Sequence, residues 1–231
     1  MVTDICYDTE FVENGHTIRL LSIGMVTPFT GDTLYLISND QPTMDAAVNN
    51  EWLRENVVPS LPVIVSPPGA KGYMSDTRWT WEWDTHDPDR QFVVNRGYIA
   101  KEVARFITSF GDPVLWADYG SYDHVVLNQL WGRMIDHPQG VPMWTADLRQ
   151  EIMRLGSPDV PELGGMRAHN ALDDAREAAY RLSWLRSFEL TMRHHGVAPH
   201  IGLAPYREGS EDGEAAALAA LGPARRKGTG R

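Results

Sequence analysis

The sequence predicts an α/β fold: a mixed sheet, opened by three antiparallel strands and continued by helix–strand units, with helices on both faces. Three observations carry this. Apolar and β-branched runs separated by turn residues fill the first forty positions. From about residue 98 the period changes to that of amphipathic helices, interrupted by one apolar run, "PVLWADYG" (113–120). The order β-β-β-α-insert-α-β-α-α-α then needs both faces of a sheet to seat its helices.

"DICYDTEF" alternates as a strand over about 3–11, and "HTIRLLSIGMVT" (16–27) is a second, with Thr17, Ile18, Ile23 and Val26 β-branched. Between them Asn14-Gly15 is a strong hairpin signal. "TLYLISN" (33–39) follows the turn "TGD" as a third strand. A helix is expected from an N-cap at Thr43 to about Val57, before Pro59. Residues 62–92, rich in Pro, Gly, Trp and Asp, read as an insertion in which Trp79, Trp81 and Trp83 share one side of a short strand. "YIAKEVARFITSF" (98–110) is amphipathic, and Gly111 and Pro113 stop it. "SYDHVVLNQLWG" (121–132), "TADLRQEIMRLG" (145–156) and the long stretch 171–196 are helices, the first two capped by Ser121 and Thr145. One domain of 1–198 with a flexible tail at 199–231 follows.

Bulk properties narrow the function classes. No run of 18 or more apolar residues exists among the 231, which argues against a membrane span. The acidic start lacks the pattern of a signal peptide, and the single cysteine, Cys6, fits a reducing cytoplasm and a small buried position. A net charge of −10 argues against a broad basic face for long nucleic acid, but not against a pocket that takes a few nucleotides where cations cancel local charge.

The first strand holds the unusual feature. Asp8 and Glu10 stand at i and i+2 in "YDTEF", so both carboxylates project to one side with Cα atoms roughly 6–7 Å apart. Crowded carboxylates must take up protons or share a divalent cation, and hard oxygen ligands suit Mg²⁺ or Mn²⁺. Asp118 and Asp123 follow the central strand; Asp173 and Asp174 open the last helix, four and five residues after His169. Taken singly each acid fits a helix-dipole role, worth about 0.3–1 kcal/mol.

Together, the acid-x-acid of "DTE", Asp123 in "SYDHVVL", and His169 and Asp174 in "HNALDDA" resemble the DEDD-type 3′–5′ exonucleases of the histidine subclass, which have an RNase H-like fold. "YDTEFVENGHTIRLLSIGMV" and "WADYGSYDHVVLNQLWG" extend the resemblance to the RNase AS family, actinobacterial exoribonucleases that trim adenylate-rich RNA ends. It spans roughly 5–40 and 98–185, without the insert or the tail.

The resemblance implies two divalent cations, Mg²⁺ or Mn²⁺, held by Asp8, Glu10, Asp123 and Asp174. It implies His169 as general base and Glu10 as acceptor from the terminal 3′-OH. It also implies single-stranded RNA 3′ ends as substrate and a homodimer. Thr9 and Phe11 are the candidate substrate contacts; for Phe11 a core position competes with base stacking. Asp173, off register by one, is assigned to a supporting or capping role. The three insert tryptophans either stack bases, or pack the insert onto the domain or sit in a subunit interface, the latter two being favoured, and Arg225, Arg226 and Lys227 read as a solvated end rather than an RNA contact. The same motifs fit a 3′–5′ DNA exonuclease. A binding protein without turnover would have lost an acid or the histidine, and all five matched positions are intact.

Overall fold

The computed structural model describes residues 2–70 and 77–196. The segment expected as a tail, 199–231, and with it Arg225, Arg226 and Lys227, lies outside the described residues.

Strands β1 (Val2–Glu13), β2 (Ile18–Val26) and β3 (Thr33–Ser38) form the opening meander. Asn14 and Gly15 make the first turn: the Asn14 side chain accepts from the amides of His16 and Thr17, and Gly15 sits at φ 80°. Helices α1 (Gln41–Asn49) and α2 (Glu51–Asn56) follow, then a ribbon of β4 (Val63–Ser66) and β5 (Thr80–Trp83). The chain continues through β6 (Val93–Val94), α3 (Arg96–Thr108), β7 (Asp112–Ala117) and α4 (Ser121–Gln129). It closes with β8 (Ala146–Asp147), α5 (Leu148–Arg154) and α6 (Ala171–His194).

The sheet order is β6-β3-β2-β1-β7-β8. β2 runs antiparallel to both neighbours, while β7 and β8 run parallel to β1. This is the expected mixed sheet, opened by antiparallel strands, with a core on each face. Cys6 and Val12 point to the side covered by α1, α2 and α6; Ile5 and Tyr7 point to the side covered by α3 and α4. Cys6 is fully buried, the small interior position expected for it.

Three expected helix starts move, each for a local reason. Asp40, not Thr43, caps α1: its carboxylate accepts from the Thr43 amide, and Pro42 sits in the first turn. The single helix to Val57 becomes two because Asn50 leaves the helical conformation and caps α2 through the Leu53 amide. Asp147, not Thr145, caps α5, because Ala146 and Asp147 are drawn into the sheet edge beside β7. Ser121 is the first helical residue of α4; the capping position is Gly120, which has no side chain to offer.

The ribbon shows what the insert tryptophans do. Trp79, Trp81 and Trp83 are partly buried against the core. The Trp81 indole donates to Asp45 at 2.7 Å, Asn49 bonds the Trp79 backbone in both directions, and Trp81 meets Trp83 edge to face. They pack the ribbon onto α1.

Gly24 has the tightest packing role. It pairs with Asp8, and a Cβ there would lie 2.2 Å from the Ala171 carbonyl oxygen and 2.4 Å from the Leu172 Cα. Only a bare backbone lets the first turn of α6 rest on β2 beside Asp8. Gly24→Ala is expected to cost about 3 kcal/mol in urea unfolding, because rigid backbone must yield rather than a flexible side chain.

Candidate active site

The pairing of β1 explains why its acids are available. β1 pairs with β7 from Val2 to Cys6, which faces Trp116, and then runs on past the end of that pairing. Asp8, Thr9 and Glu10 thus have β2 on one side and an open notch on the other. The first turn of α4 fills the notch. Asp123 accepts from the Thr9 amide at 2.9 Å and from the Thr9 hydroxyl at 2.6 Å, so a carboxylate takes the place of the missing strand.

On the other side of the strand, Asp8 and Glu10 face α6. One ligand oxygen from each of Asp8, Glu10 and Asp174 lies within 4.8 Å of the others. Asp174 is delivered by the first turn of α6, which is capped by Asn170 accepting from the Asp173 amide. Asn170 is fully buried and donates to the Tyr35 hydroxyl at 3.0 Å.

His169 precedes that cap in a left-handed conformation, φ 58°, rare for a residue with a Cβ. Its carbonyl accepts from the Ser60 hydroxyl at 2.5 Å, and its ring meets Trp52 edge to face, centroids 5.1 Å apart. It lies beside Asp174, whose acidity it affects through both its charge and its backbone amide.

Electrostatics separates these acids from their neighbours. Burial pushes the Glu10 carboxyl up to about 8, with the charges of Asp174 and Asp123 adding to it. Burial pushes Asp174 up to about 6, opposed by His169. Asp8 is raised well above the usual carboxylate range by burial and then by Asp123, Glu10, Asp174 and Asp118 in turn. Asp123 is also raised by burial, and the two Thr9 bonds work against the rise. Asp173 behaves oppositely: burial acts against it, but Arg167 at 2.8 Å and Arg176 at 2.7 Å hold it below the usual range. It is a structural ion pair, consistent with its supporting assignment.

Three converging hard oxygens under mutual repulsion fit a divalent cation. Asp123 stands next to the three but outside their 4.8 Å set, with one oxygen committed to Thr9.

The two expected substrate contacts diverge. Phe11 is half-buried and its ring lies nearly parallel to that of Tyr122, 14° apart with centroids at 6.0 Å. Thr9 is buried at 4% exposure, and its hydroxyl hydrogen goes to Asp123. Its side chain therefore positions an acid, because odd positions of β1 face α4. Thr9→Val is expected to cost about 1–3 kcal/mol, measured by denaturant unfolding, and Thr9→Ser to cost much less. Trp52, 55% exposed beside His169, and Tyr122 were not singled out by spacing. The only local hint is an aromatic residue in a polar stretch, "NNEWLRE" for Trp52.

A mixed sheet that gathers a strand-borne acid pair and a helix-start acid at one notch, with a histidine beside them, is the arrangement expected of a 3′–5′ exonuclease-type nuclease. The chain belongs to the 3′-5′ exoribonuclease Rv2179c-like domain family, which it matches over residues 3–185. It is 36% identical over 183 residues to the 3′-5′ exoribonuclease Rv2179c of Mycobacterium tuberculosis H37Rv, covering 78% of this chain and 92% of that protein. The same figures hold for 3′-5′ exoribonuclease MT2234.1 of strain CDC 1551. Among solved structures, Escherichia coli exonuclease I in complex with a dT13 oligonucleotide is similar at a TM-score of 0.49 and 13% identity. That likeness covers 84% of this chain and 44% of exonuclease I, so the chain spans under half of that protein. The Neurospora crassa Pan2 catalytic unit gives a TM-score of 0.42 at 13% identity, with 28% of its length covered. Among the described residues no helix is long and apolar enough to cross a membrane.

Proposed function

We propose that this chain is a metal-dependent 3′–5′ exoribonuclease that removes nucleoside 5′-monophosphates one at a time from single-stranded RNA 3′ ends, adenylate-rich ends among them. The observation that carries this is the convergence of Asp8, Glu10 and Asp174 within 4.8 Å, with His169 beside Asp174, in a chain of an exoribonuclease family.

Asp8, Glu10 and Asp174, with Asp123, are the residues that would hold two divalent cations, Mg²⁺ or Mn²⁺. Such a pair supplies positive charge to the phosphodiester oxygens and acidifies the attacking water. His169 takes the proton from that water. The water oxygen bonds to phosphorus, the P–O3′ bond breaks with its electron pair going to O3′, and that oxygen takes a proton from solvent to become the new 3′-OH of the shortened strand. Glu10 accepts a hydrogen bond from the terminal 3′-OH, which restricts the site to strand ends. Phe11, braced by Tyr122, stacks on the departing base.

The reading places the enzyme in the cytoplasm as a homodimer; Met134 at 79% and Ile135 at 83% exposure offer apolar surface to a second copy. It also takes 1–198 as the exonuclease domain and 62–92 as an insertion, whose ribbon forms a sheet of its own.

The test is nucleotide release from A-tailed RNA, C- or U-tailed RNA and A-tailed DNA, each with Mg²⁺, Mn²⁺ or EDTA. Metal-dependent release of AMP, faster from RNA than from DNA, is expected. Equal release from DNA would replace the reading with a DNA exonuclease. No release by the folded protein would leave a binding protein.

A further inference from the structure

Two residues flanking the acidic cluster carry a side chain on a left-handed backbone. One is His169; the other is Tyr119, at φ 55°. Glycine adopts that conformation freely and tyrosine rarely does. A residue kept against its backbone preference points to a use for its side chain.

The corner around Tyr119 is built with care. Asp118 receives Arg149 through two bonds, 2.6 and 2.9 Å, and Arg181 at 3.4 Å. The Gly120 amide donates to Asp147 at 3.0 Å, and the Tyr119 carbonyl accepts from the Ser121 amide at 2.8 Å. Tyr119 is 61% exposed, and the Arg149 guanidinium carbon lies over its ring, 4.6 Å from the centroid. One face of the ring is thus braced by a cation that Asp118 already holds in place, while the residue as a whole stays exposed. The corner borders the cluster: the charge of Asp118 is felt at both Asp8 and Asp123, and Tyr122, three residues on, stacks on Phe11.

We infer that Tyr119 is a second stacking site, on which a base of the bound single strand other than the departing one rests. This deepens the exoribonuclease reading and rests on it for the identity of the strand. The chemistry suits a chain of net charge −10, because an acidic protein gains from contacts to a polyanion that do not depend on a basic face. Stacking on a π-face is also tolerant of base identity.

The test compares wild type, Tyr119→Gly and Tyr119→Phe on an A-tailed RNA with Mg²⁺. It reads KM and kcat at low and high salt, the melting temperature, the native mass, and the Kd for the same RNA by fluorescence anisotropy. Tyr119→Gly is expected to raise KM and Kd about tenfold, by a similar factor at both salt levels, with a smaller effect on kcat and no loss of melting temperature. Tyr119→Phe is expected to stay within about twofold of wild type. The inference is overturned if Tyr119→Gly leaves KM and Kd within about twofold of wild type. It is equally overturned if Tyr119→Phe loses as much as Tyr119→Gly, or if Tyr119→Gly lowers the native mass with KM unchanged, which would assign the ring to a contact between copies. If wild type releases no nucleotide, the exoribonuclease reading fails, and the anisotropy series still decides whether Tyr119 holds a base.

Discussion

Asp8→Asn is expected to lower nucleotide release by about 10³-fold or more, and to raise the melting temperature of the metal-free protein at pH 8. The two effects share one cause. Asp8 sits among Asp123, Glu10, Asp174 and Asp118, all of its own sign, and its carboxyl is raised by burial and by those charges. A carboxyl raised in the folded state contributes stability fully below its unfolded pKa, and that contribution is lost as pH rises through the folded value. Glu10, moved from 4.5 to about 8, behaves in the same way and alone accounts for on the order of 5 kcal/mol across that window. Metal-free wild type should therefore lose melting temperature from about pH 4.5 to 8, the window of the Glu10 shift.

Asparagine at position 8 removes one of the crowded charges, so the variant should overtake wild type at the alkaline end and match it near pH 4. Mg²⁺ should reverse the order. A cation held by wild type at a hundredfold over its Kd adds about 2.7 kcal/mol, and the variant should gain little. Thermal scans across pH with EDTA or Mg²⁺ measure all four curves. A wild-type melting temperature that is flat with pH and indifferent to Mg²⁺ would remove the electrostatic account of the cluster.

The second large effect is expected at His169. Loss of a general base costs about 10²–10⁴-fold in kcat. The choice of replacement matters, because His169 holds a φ of 58° and alanine there would add backbone strain to the loss of the ring. Asparagine tolerates that conformation, so His169→Asn should keep the melting temperature within a few degrees while kcat falls about 10²–10⁴-fold and KM changes little. The comparison also separates chemistry from architecture. The His169 carbonyl is held by Ser60 and its ring by Trp52, so Trp52→Leu should lower kcat by a smaller factor through loss of ring orientation. Single-turnover kinetics on an RNA 3′ end distinguishes the chemical step from product release. A His169→Asn enzyme with undiminished kcat would assign proton removal to another group.

What the sequence determined by itself was local and periodic. Period two along "YDTEF" put Asp8 and Glu10 on one side of β1, and the structure brings their oxygens to Asp174. The five-residue step from His169 to Asp174 placed a histidine and an acid about one cap apart at a helix start, and Asn14-Gly15 marked the first hairpin. These features follow from neighbours in the chain, so their residues suffice to read them. The caps show the limit: Thr43 and Thr145 are plausible N-caps, but Asp40 and Asp147 are the ones whose carboxylates reach the first-turn amides. That choice depends on where the preceding strand releases the chain.

The tertiary structure alone decided the rest, because each remaining feature joins residues far apart in sequence. Thr9 and Asp123 are 114 positions apart and meet because β7 stops short of β1, leaving an amide that only α4 can satisfy. Gly24 is needed only because the first turn of α6 rests on it. In the sequence Asp118 is only one more acid after the central strand; α5 and α6 bring Arg149 and Arg181 to it and make it the anchor of the Tyr119 corner. A side chain's chemical type is written in the sequence; whether its charge is paired, crowded or left open is settled by the elements that fold against it.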